Sequence, residues 1–147
     1  MRLTLTKRGD YGFRIVLHLA RQDPDDRLTA AQLASACDIP PGNVPTIVSL
    51  LSRANVLTCS PGRHGGCRLD RLPEQIFALE IIEALEGPLE IRYCILDSRR
   101  CHDQDPECAL HHAWTKGRDA AIAALASTSL SDMLVREDEI ATLIRDR

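Results

Sequence analysis

Residues 29–54, TAAQLASACDIPPGNVPTIVSLLSRA, carry the signals of two short helices joined by a tight turn. The four residues Thr29–Gln32 match a capping box, in which two side chains satisfy backbone amides at the start of a helix. Asp38–Gly42 predicts the turn, and a second helix is expected over about Asn43–Ala54. This arrangement favours a helix-turn-helix, and the alternative is a small helical hairpin that does not contact DNA.

A glycine-rich hairpin is predicted directly after the second helix. Val56–Cys59 and Cys67–Leu69 have the composition of strands, and Ser60–Gly66 between them forms a loop with Arg63 and His64 at its tip. A hairpin in this position predicts the wing of a winged helix, and an ordinary surface hairpin is the alternative. An arginine at the tip of a wing can enter a narrow minor groove, where the potential is most negative.

The remaining segments predict further helices. Apolar residues recur at helical spacing in residues 8–22, and the same pattern continues in Pro73–Glu86, which Gly87 and Pro88 end. A long alanine-rich helix is expected from about Pro106 to Ala126, followed by a short amphipathic helix over Ser129–Arg147. Because a long helix outside a compact head needs a partner to bury its apolar side, we interpret it as a dimerisation helix. The predicted fold is mainly α with a β-hairpin wing.

Composition and charge indicate two functional parts, residues 1–72 as a DNA-binding domain and residues 73–147 for metal binding and dimerisation. The 147-residue chain is 44% apolar but only 3% aromatic, so its core is aliphatic, which favours helices. The first part carries ten basic and six acidic residues, and the second part eight and fifteen. A basic front half predicts that only this half meets a polyanion. Without an apolar span or a secretion signal, a cytoplasmic protein is expected.

Three of the six cysteines lie within fifteen residues, at Cys94, Cys101 and Cys108, and His111 follows the last at helical spacing. Thiolates are soft ligands that suit iron–sulfur clusters and zinc. The six-residue spacers are longer than most zinc knuckles use, so a cluster is favoured and zinc is the alternative. No CxxC motif or catalytic constellation is present, which argues against an enzyme.

The other cysteines and histidines have simpler interpretations. Cys59 and Cys67 flank the wing loop and can face each other across the hairpin, where a redox pair is one alternative. Cys37 is expected to be a small core residue. His18 is expected to be partly buried in the first helix, and His112 to face solvent.

Taken together, these motifs resemble the bacterial Rrf-type transcriptional regulators that include IscR, NsrR and RirA. The resemblance implies a homodimeric winged helix-turn-helix regulator that binds a [4Fe–4S] or [2Fe–2S] cluster through the three loop cysteines. Members of this family sense iron, cluster supply, nitric oxide or redox state, as repressors or activators. The matching segments are Met1–Thr4, Gly9–Arg14, Gly62–Gly66 with Leu69, Leu79–Gly87 and the cysteine loop.

Three thiolates leave one cluster position for another ligand. The resemblance implies Asp10 of the other subunit, because Gly-Asp-Tyr is similar to NsrR-like members, and His111 is the local alternative. Water, a small thiol or His102 is a third. The chain departs from the family in two ways: the cysteine spacers are one residue longer than usual, and Cys67 stands where an aromatic residue is usual. The second departure predicts looser packing inside the wing.

DNA contacts are expected from the polar side of the second helix of the helix-turn-helix, from the wing tip and from the N-terminus. Side chains near the start of a recognition helix reach base edges, and basic residues elsewhere contact phosphates. The candidates are Asn43, Thr46, Ser49, Ser52, Arg53, Arg63, His64, Arg2 and Lys7.

Overall fold

The computed structural model describes residues 4–89 and 108–145, and it confirms a mainly helical fold with a two-stranded wing. No helix in these two ranges is long and apolar enough to cross a membrane. The helices are α1 (Lys7–Ala20), α2 (Ala30–Ala36), α3 (Val44–Arg53), α4 (Ala78–Glu86), α5 (His111–Ser127) and α6 (Leu130–Arg145), and the strands are β1 (Leu57–Ser60) and β2 (Gly66–Leu69).

The helix-turn-helix forms as its capping signals predict. The Thr29 backbone amide donates to Gln32 Oε1 at 2.8 Å, and the Gln32 amide donates to Thr29 Oγ1 at 3.3 Å, which completes the predicted capping box of α2. Asp38 and Asn55 follow α2 and α3 with positive φ angles of 52° and 56°. The next amide after each bonds back into the last turn of its helix, at 2.9 and 3.0 Å, as in a Schellman motif. Asn55 therefore ends α3, as expected.

The wing is an antiparallel hairpin in which Cys59 pairs with Cys67. On its other side β2 is joined to the segment before α2, because the Cys67 amide and carbonyl both bond to Leu28, at 2.8 and 3.0 Å. Gly66 has a φ of 140°, and a Cβ there would lie 2.8 Å from the Leu28 carbonyl oxygen. This position therefore requires glycine, which explains the second residue of the Gly65–Gly66 pair.

The predicted helix over Pro73–Glu86 is wrong in its first five residues. Pro73–Gln75 form a 3₁₀ turn, Ile76 is extended, and α4 begins at Ala78. The extended backbone is needed because it pairs with the residues between α5 and α6. The Leu130 amide donates to the Ile76 carbonyl at 2.7 Å, and the Ala78 amide donates to the Thr128 carbonyl at 2.9 Å. Gly87 ends α4 as expected, with a φ of 93°.

Of the two C-terminal helices, the first differs from the prediction and the second agrees with it. The long helix α5 begins at His111, five residues later than expected, and Pro106 lies outside the described ranges. The helix expected over Ser129–Arg147 is present as α6, Leu130–Arg145, and has 16 residues against 17 in α5. Ser129 and Asp132 form its N-terminal cap, with 2.9 Å between the Ser129 amide and Asp132 Oδ2. This cap allows α6 to follow α5 with only two residues between the helices.

One aliphatic core joins the front helices, the wing and the later helices. Buried side chains of α1 and α3 pack with Ile81 and Leu85 of α4 and with Leu130 of α6. Gly12 of α1 is buried against Leu85, and a Cβ on Gly12 would overlap the Leu85 side chain. The helix that follows the wing is thus packed directly against α1. At the far end of α1, Arg21 contacts Glu137 and Asp138 of α6, at 3.2 and 2.8 Å.

Candidate nucleic-acid interface and cysteine segment

The polar side of α3 presents most of the residues expected to contact DNA. Asn43 and Thr46 are exposed at the start of the helix, and the Asn43 side chain forms no capping hydrogen bond. Ser49 is half-buried, and its hydroxyl accepts a hydrogen bond from Arg53 Nη2 at 3.2 Å. This contact extends the Arg53 guanidinium along the helix surface, where it remains exposed. Such an array of amide, hydroxyl and guanidinium groups suits base edges and phosphates.

Arg63 and His64 are the two central residues of the wing turn, and both are exposed. The turn is closed by a hydrogen bond of 3.0 Å from the Gly65 amide to the Gly62 carbonyl. Arg63 forms no ion pair with any residue in the described ranges, so its charge is directed to solvent. The expected wing geometry is therefore present.

Other basic residues of the front half divide into paired and unpaired groups. Arg14 and Arg71 form ion pairs of 2.8 Å with Asp10 and 2.6 Å with Glu80, which use these cations within the protein. Lys7, at the start of α1, is exposed and has no ion pair in the part of the chain that the structure describes. Arg2 lies outside that part.

Ser52 of α3 contacts the wing. Its Oγ lies 3.5 Å from Cys59 Sγ in β1. Cys59 itself is joined to Cys67 by a disulfide bond, with the two Cα atoms 4.1 Å apart. The cysteines were expected to face each other, and the register confirms it. The sequence signal is their symmetric placement about the loop, but it does not reveal the contact with Ser52. Cys67 is only 7% exposed, and its sulfur belongs to the core.

Of the three loop cysteines, only Cys108 falls among the described residues; Cys94, Cys101 and His102 lie outside them. Cys108 is half-buried just before α5, and its carbonyl accepts the His111 amide at 3.0 Å. The backbone thus places a thiol and an imidazole one turn apart, a donor combination that suits iron or zinc. Within residues 4–89 and 108–145, no group of three or more metal-ligating side chains comes together.

Asp10 lies in the first turn of α1, with its side chain half exposed. Its carboxylate pairs with Arg14, one turn along the same helix. The start of α1 also contacts the end of α4, because Thr6 Oγ1 donates to Glu86 Oε1 at 2.6 Å. Asp10 is therefore close in sequence to the place where α1 meets the helix that precedes the cysteine segment.

The remaining cysteine and histidines lie where they were expected. Cys37 is buried in the core, where its thiol contacts the Arg14 carbonyl at 3.7 Å, and burial raises the pKa of this thiol. His18 is partly buried and contacts Gln22. His112 is exposed, whereas His111 is half-buried.

Comparisons with known proteins give the same result in sequence and in structure. The sequence profile of a family described as "Rrf2: Iron-dependent Transcriptional regulator" matches residues 5–136. The chain is 27% identical over 143 residues to the HTH-type transcriptional regulator NsrR of Halalkalibacterium halodurans, covering 97% of this chain and 98% of the relative.

Two solved structures have similar folds. The global cysteine regulator CymR of Bacillus subtilis superposes with a TM-score of 0.75 and 27% identity, covering 92% of this chain and 98% of CymR. IscR of T. potens has a TM-score of 0.70 at 22% identity, covering 94% and 90% of the two chains, and supports the fold alone. The profile match, which spans most of the chain, extends beyond the DNA-binding head. The chain therefore belongs to the Rrf2 family of transcriptional regulators, which are DNA-binding proteins and not enzymes.

Proposed function

We propose that the protein regulates transcription in response to redox state, nitric oxide or iron supply, through an iron–sulfur cluster held by Cys94, Cys101 and Cys108. The basis is a set of three soft thiolate donors in a family of regulators. When bound, a [4Fe–4S] or [2Fe–2S] cluster supplies a centre that oxidants and nitric oxide alter. The protein would act in the cytoplasm, where the operator DNA is.

The three thiolates carry the proposal of a cluster, and the hydrogen bond between Thr6 and Glu86 supports a path from the cysteine segment to the DNA-reading helix. Glu86 is the last residue of α4, shortly before the cysteine segment, and Thr6 caps the start of α1. Since α1 also packs against α3 in the common core, a displacement at the end of α4 reaches the DNA-reading helix through two packed elements. Such a contiguous path of packed elements can carry the coupling between a ligand site and a DNA-reading surface.

We assign the polyanion contacts to residues 1–72 and the cluster and dimer contacts to residues 73–147. Asn43, Thr46, Ser49, Ser52 and Arg53 would face the major groove, with Arg63 and His64 at the minor groove. Lys7 and Arg2 would contact phosphates, so affinity should fall as salt rises.

The fourth cluster ligand is proposed to be Asp10 of the other subunit, with His111 as the alternative. In the single chain the Asp10 carboxylate is half exposed and held by one exposed arginine. An exposed ion pair of this kind is weak, so the carboxylate can exchange Arg14 for a metal at little cost. His111 is closer in sequence, one turn after Cys108.

A homodimer is proposed because the C-terminal helices leave apolar surface uncovered. None of the residues of α5 is buried in the single chain. In α6, Ile140, Leu143 and Ile144 are 44%, 61% and 69% exposed and lie on one face at helical spacing. A second copy is the partner that would cover this face and also bring another Asp10 to each cysteine segment.

Native mass spectrometry of anaerobically purified protein is expected to show a dimer with one cluster per chain. Cys108→Ser should lose the cluster because a thiolate ligand is removed, whereas Cys37→Ala should retain it because Cys37 is a core residue. A colourless protein that carries zinc in place of iron would contradict the proposal. That result would support the alternative function, a zinc-stabilised DNA-binding regulator without cluster sensing.

Asp10→Ala is expected to leave the cluster assembled but to change DNA affinity in the cluster-loaded form. The affinity would be measured on a duplex selected from a random library by the wild-type protein. Arg14→Ala is the matched control, since it breaks the same ion pair but keeps the carboxylate. Equal affinities for Asp10→Ala and wild type, with and without cluster, would rule out the ligand role, as would an identical effect of Arg14→Ala.

A further inference from the structure

The wing contains a disulfide bond at a position where two cysteine side chains are brought together by the backbone. Cys67 directs both its amide and its carbonyl to Leu28, so its pairing with Cys59 is of the non-hydrogen-bonded type. Side chains opposite each other in such pairs are closer than in hydrogen-bonded pairs, and the Cα atoms here are 4.1 Å apart. The strand register therefore places the two sulfur atoms within bonding distance.

The two sulfur atoms differ in access. Cys59 is exposed, whereas Cys67 is 7% exposed and packs in the core. A reagent from solution can therefore reach Cys59 but not Cys67. This asymmetry separates the cysteine that is attacked from the one that leaves or resolves, as in redox-active thiol pairs.

The pair also contacts the DNA-reading surface. Cys59 Sγ lies 3.5 Å from Ser52 Oγ in α3, and the disulfide closes the loop that carries Arg63 and His64. With the bond intact, both ends of this loop are held, one beside α3 and the other in the core. With the bond broken, the hairpin hydrogen bonds and those between Cys67 and Leu28 remain, but the covalent link across the base of the loop is lost.

We propose that Cys59 and Cys67 form a reversible dithiol–disulfide site whose reductant is a dithiol and whose oxidant is a hydroperoxide, and that its oxidised form orders the wing for DNA. This site is independent of the cysteine segment at 94–108. It gives the protein a second redox input, located in the DNA-binding head itself.

The chemistry balances for two electrons in each direction. In reduction, a thiolate of the dithiol attacks Cys59 Sγ, the Sγ–Sγ bond breaks, and Cys67 leaves as a thiolate that takes up a proton. The second thiol of the reductant then displaces Cys59 as a thiol, and the reductant becomes a disulfide. In oxidation, Cys59 attacks the hydroperoxide to give a sulfenic acid and an alcohol or water, and Cys67 then displaces water to restore the bond.

The test uses the full chain with Cys94, Cys101 and Cys108 changed to Ser, so that no cluster contributes to the result. Oxidised and dithiothreitol-reduced samples are compared by thiol alkylation with mass spectrometry and by tryptic cleavage after Arg63. Cleavage should be about tenfold faster after reduction, because a released loop opens more often. Affinity for a duplex selected by the wild-type protein should fall about three- to tenfold, since preorganisation is lost.

Single variants test the asymmetry. With glutathione disulfide, Cys67→Ser should form a mixed disulfide at Cys59 at least about ten times faster than Cys59→Ser does at Cys67, because access controls thiol exchange. Adding Cys37→Ala to the test background should change none of these results. Absence of the disulfide after peroxide treatment, unchanged cleavage after reduction, or equal glutathione reactivity of the two variants would overturn the proposal. None of these outcomes would contradict a cluster found in the wild-type protein, so the two proposals can fail separately.

Discussion

Gly12 is the residue on which the packing of α1 against α4 depends. It is buried, and the space that a side chain would need is occupied by Leu85. Gly9 lies one turn earlier on the same helix and is also buried, near Glu86. The two glycines give α1 a surface without side chains along which α4 fits closely. The segment Gly9–Arg14 is one of those that resemble a known family. Two of its residues are therefore glycine for a steric reason.

Gly12→Ala is expected to lower the free energy of unfolding by about 1–3 kcal/mol, as overpacking of a well-filled core does. Gly42→Ala is the matched control, because nothing lies within 4 Å of the added Cβ and φ there is not left-handed. The control should be neutral or slightly stabilising. Chemical denaturation of both variants measures the difference, and equal stabilities would show that α4 can move away from α1.

At the residue scale, the sequence predicts types of environment better than it predicts partners. Cys37 was expected in the core as a small residue and His112 was expected to face solvent, and both are confirmed. The contact of Ser52 with Cys59 could not be predicted, because it depends on how the wing folds back on α3. The sequence also could not predict whether Asp10 pairs with Arg14 or stays a free carboxylate, because an exposed ion pair contributes little free energy.

Caps and backbone pairing determine where the elements begin and end. The capping box of α2 and the stop of α3 at Asn55 are local, so the sequence predicts both. The start of α4 is not determined locally, because Ile76 and Phe77 are extended where the chain pairs with residues 128–130. Helical periodicity continues through the apolar residues before Ala78, and tertiary pairing overrides it. The bounds of α6 are close to the expected Ser129–Arg147, because apolar residues recur at helical spacing along its whole length.

The cap of α6 makes a prediction about pH. Hydrogen bonds from the Ser129 hydroxyl and amide lower the pKa of Asp132 from its ordinary value of 3.8. A carboxylate whose pKa is lowered by folding stabilises the protein above its unfolded pKa and loses this effect as pH falls through the folded pKa. Asp132→Ala should therefore reduce stability at neutral pH, and its difference from wild type should shrink below about pH 4.

Unfolding by urea at several pH values measures this difference. Asp26→Ala is the control, since the Asp26 carboxylate is exposed and has no hydrogen bond within the part of the chain that the structure describes. Its difference from wild type should be small at every pH. A deficit for Asp132→Ala that stays constant down to acid pH would contradict the role of the ionised carboxylate in the cap.

At the scale of the whole molecule, the basic excess lies in residues 1–72 and an exposed apolar face lies in the last helix. Lys7, Arg53 and Arg63 of the front half are exposed and form no ion pair among the residues that the structure describes, and Ile140, Leu143 and Ile144 form the apolar face. The charge division follows from composition, since charge balance needs no knowledge of the fold, and the split into a DNA-binding part and a dimerisation part stays a prediction. The relative positions of the cysteine segment and Asp10 could not be predicted in this way, because they depend on packing between distant elements.

Ile144→Glu is expected to shift the protein toward monomer, because it places a charge in the apolar face that a second copy would cover. Thr142→Glu introduces the same charge on the opposite side of α6 and should leave the oligomeric state unchanged. Analytical ultracentrifugation over a range of concentrations measures both. Equal dimer fractions in the two variants would show that this face of α6 lies outside the interface.

The pairing of residues 76–78 with residues 128–130 also has a consequence for synthesis on the ribosome. Leu130 completes the core that surrounds α1 and α3, yet it is made about three quarters of the way through the second part of the chain. The DNA-reading helices therefore remain incompletely packed until α6 has begun to leave the exit tunnel. A nascent chain stalled before residue 130 should be sensitive to protease throughout its head. Completion of the DNA-reading head is thus coupled to synthesis of the second part of the chain.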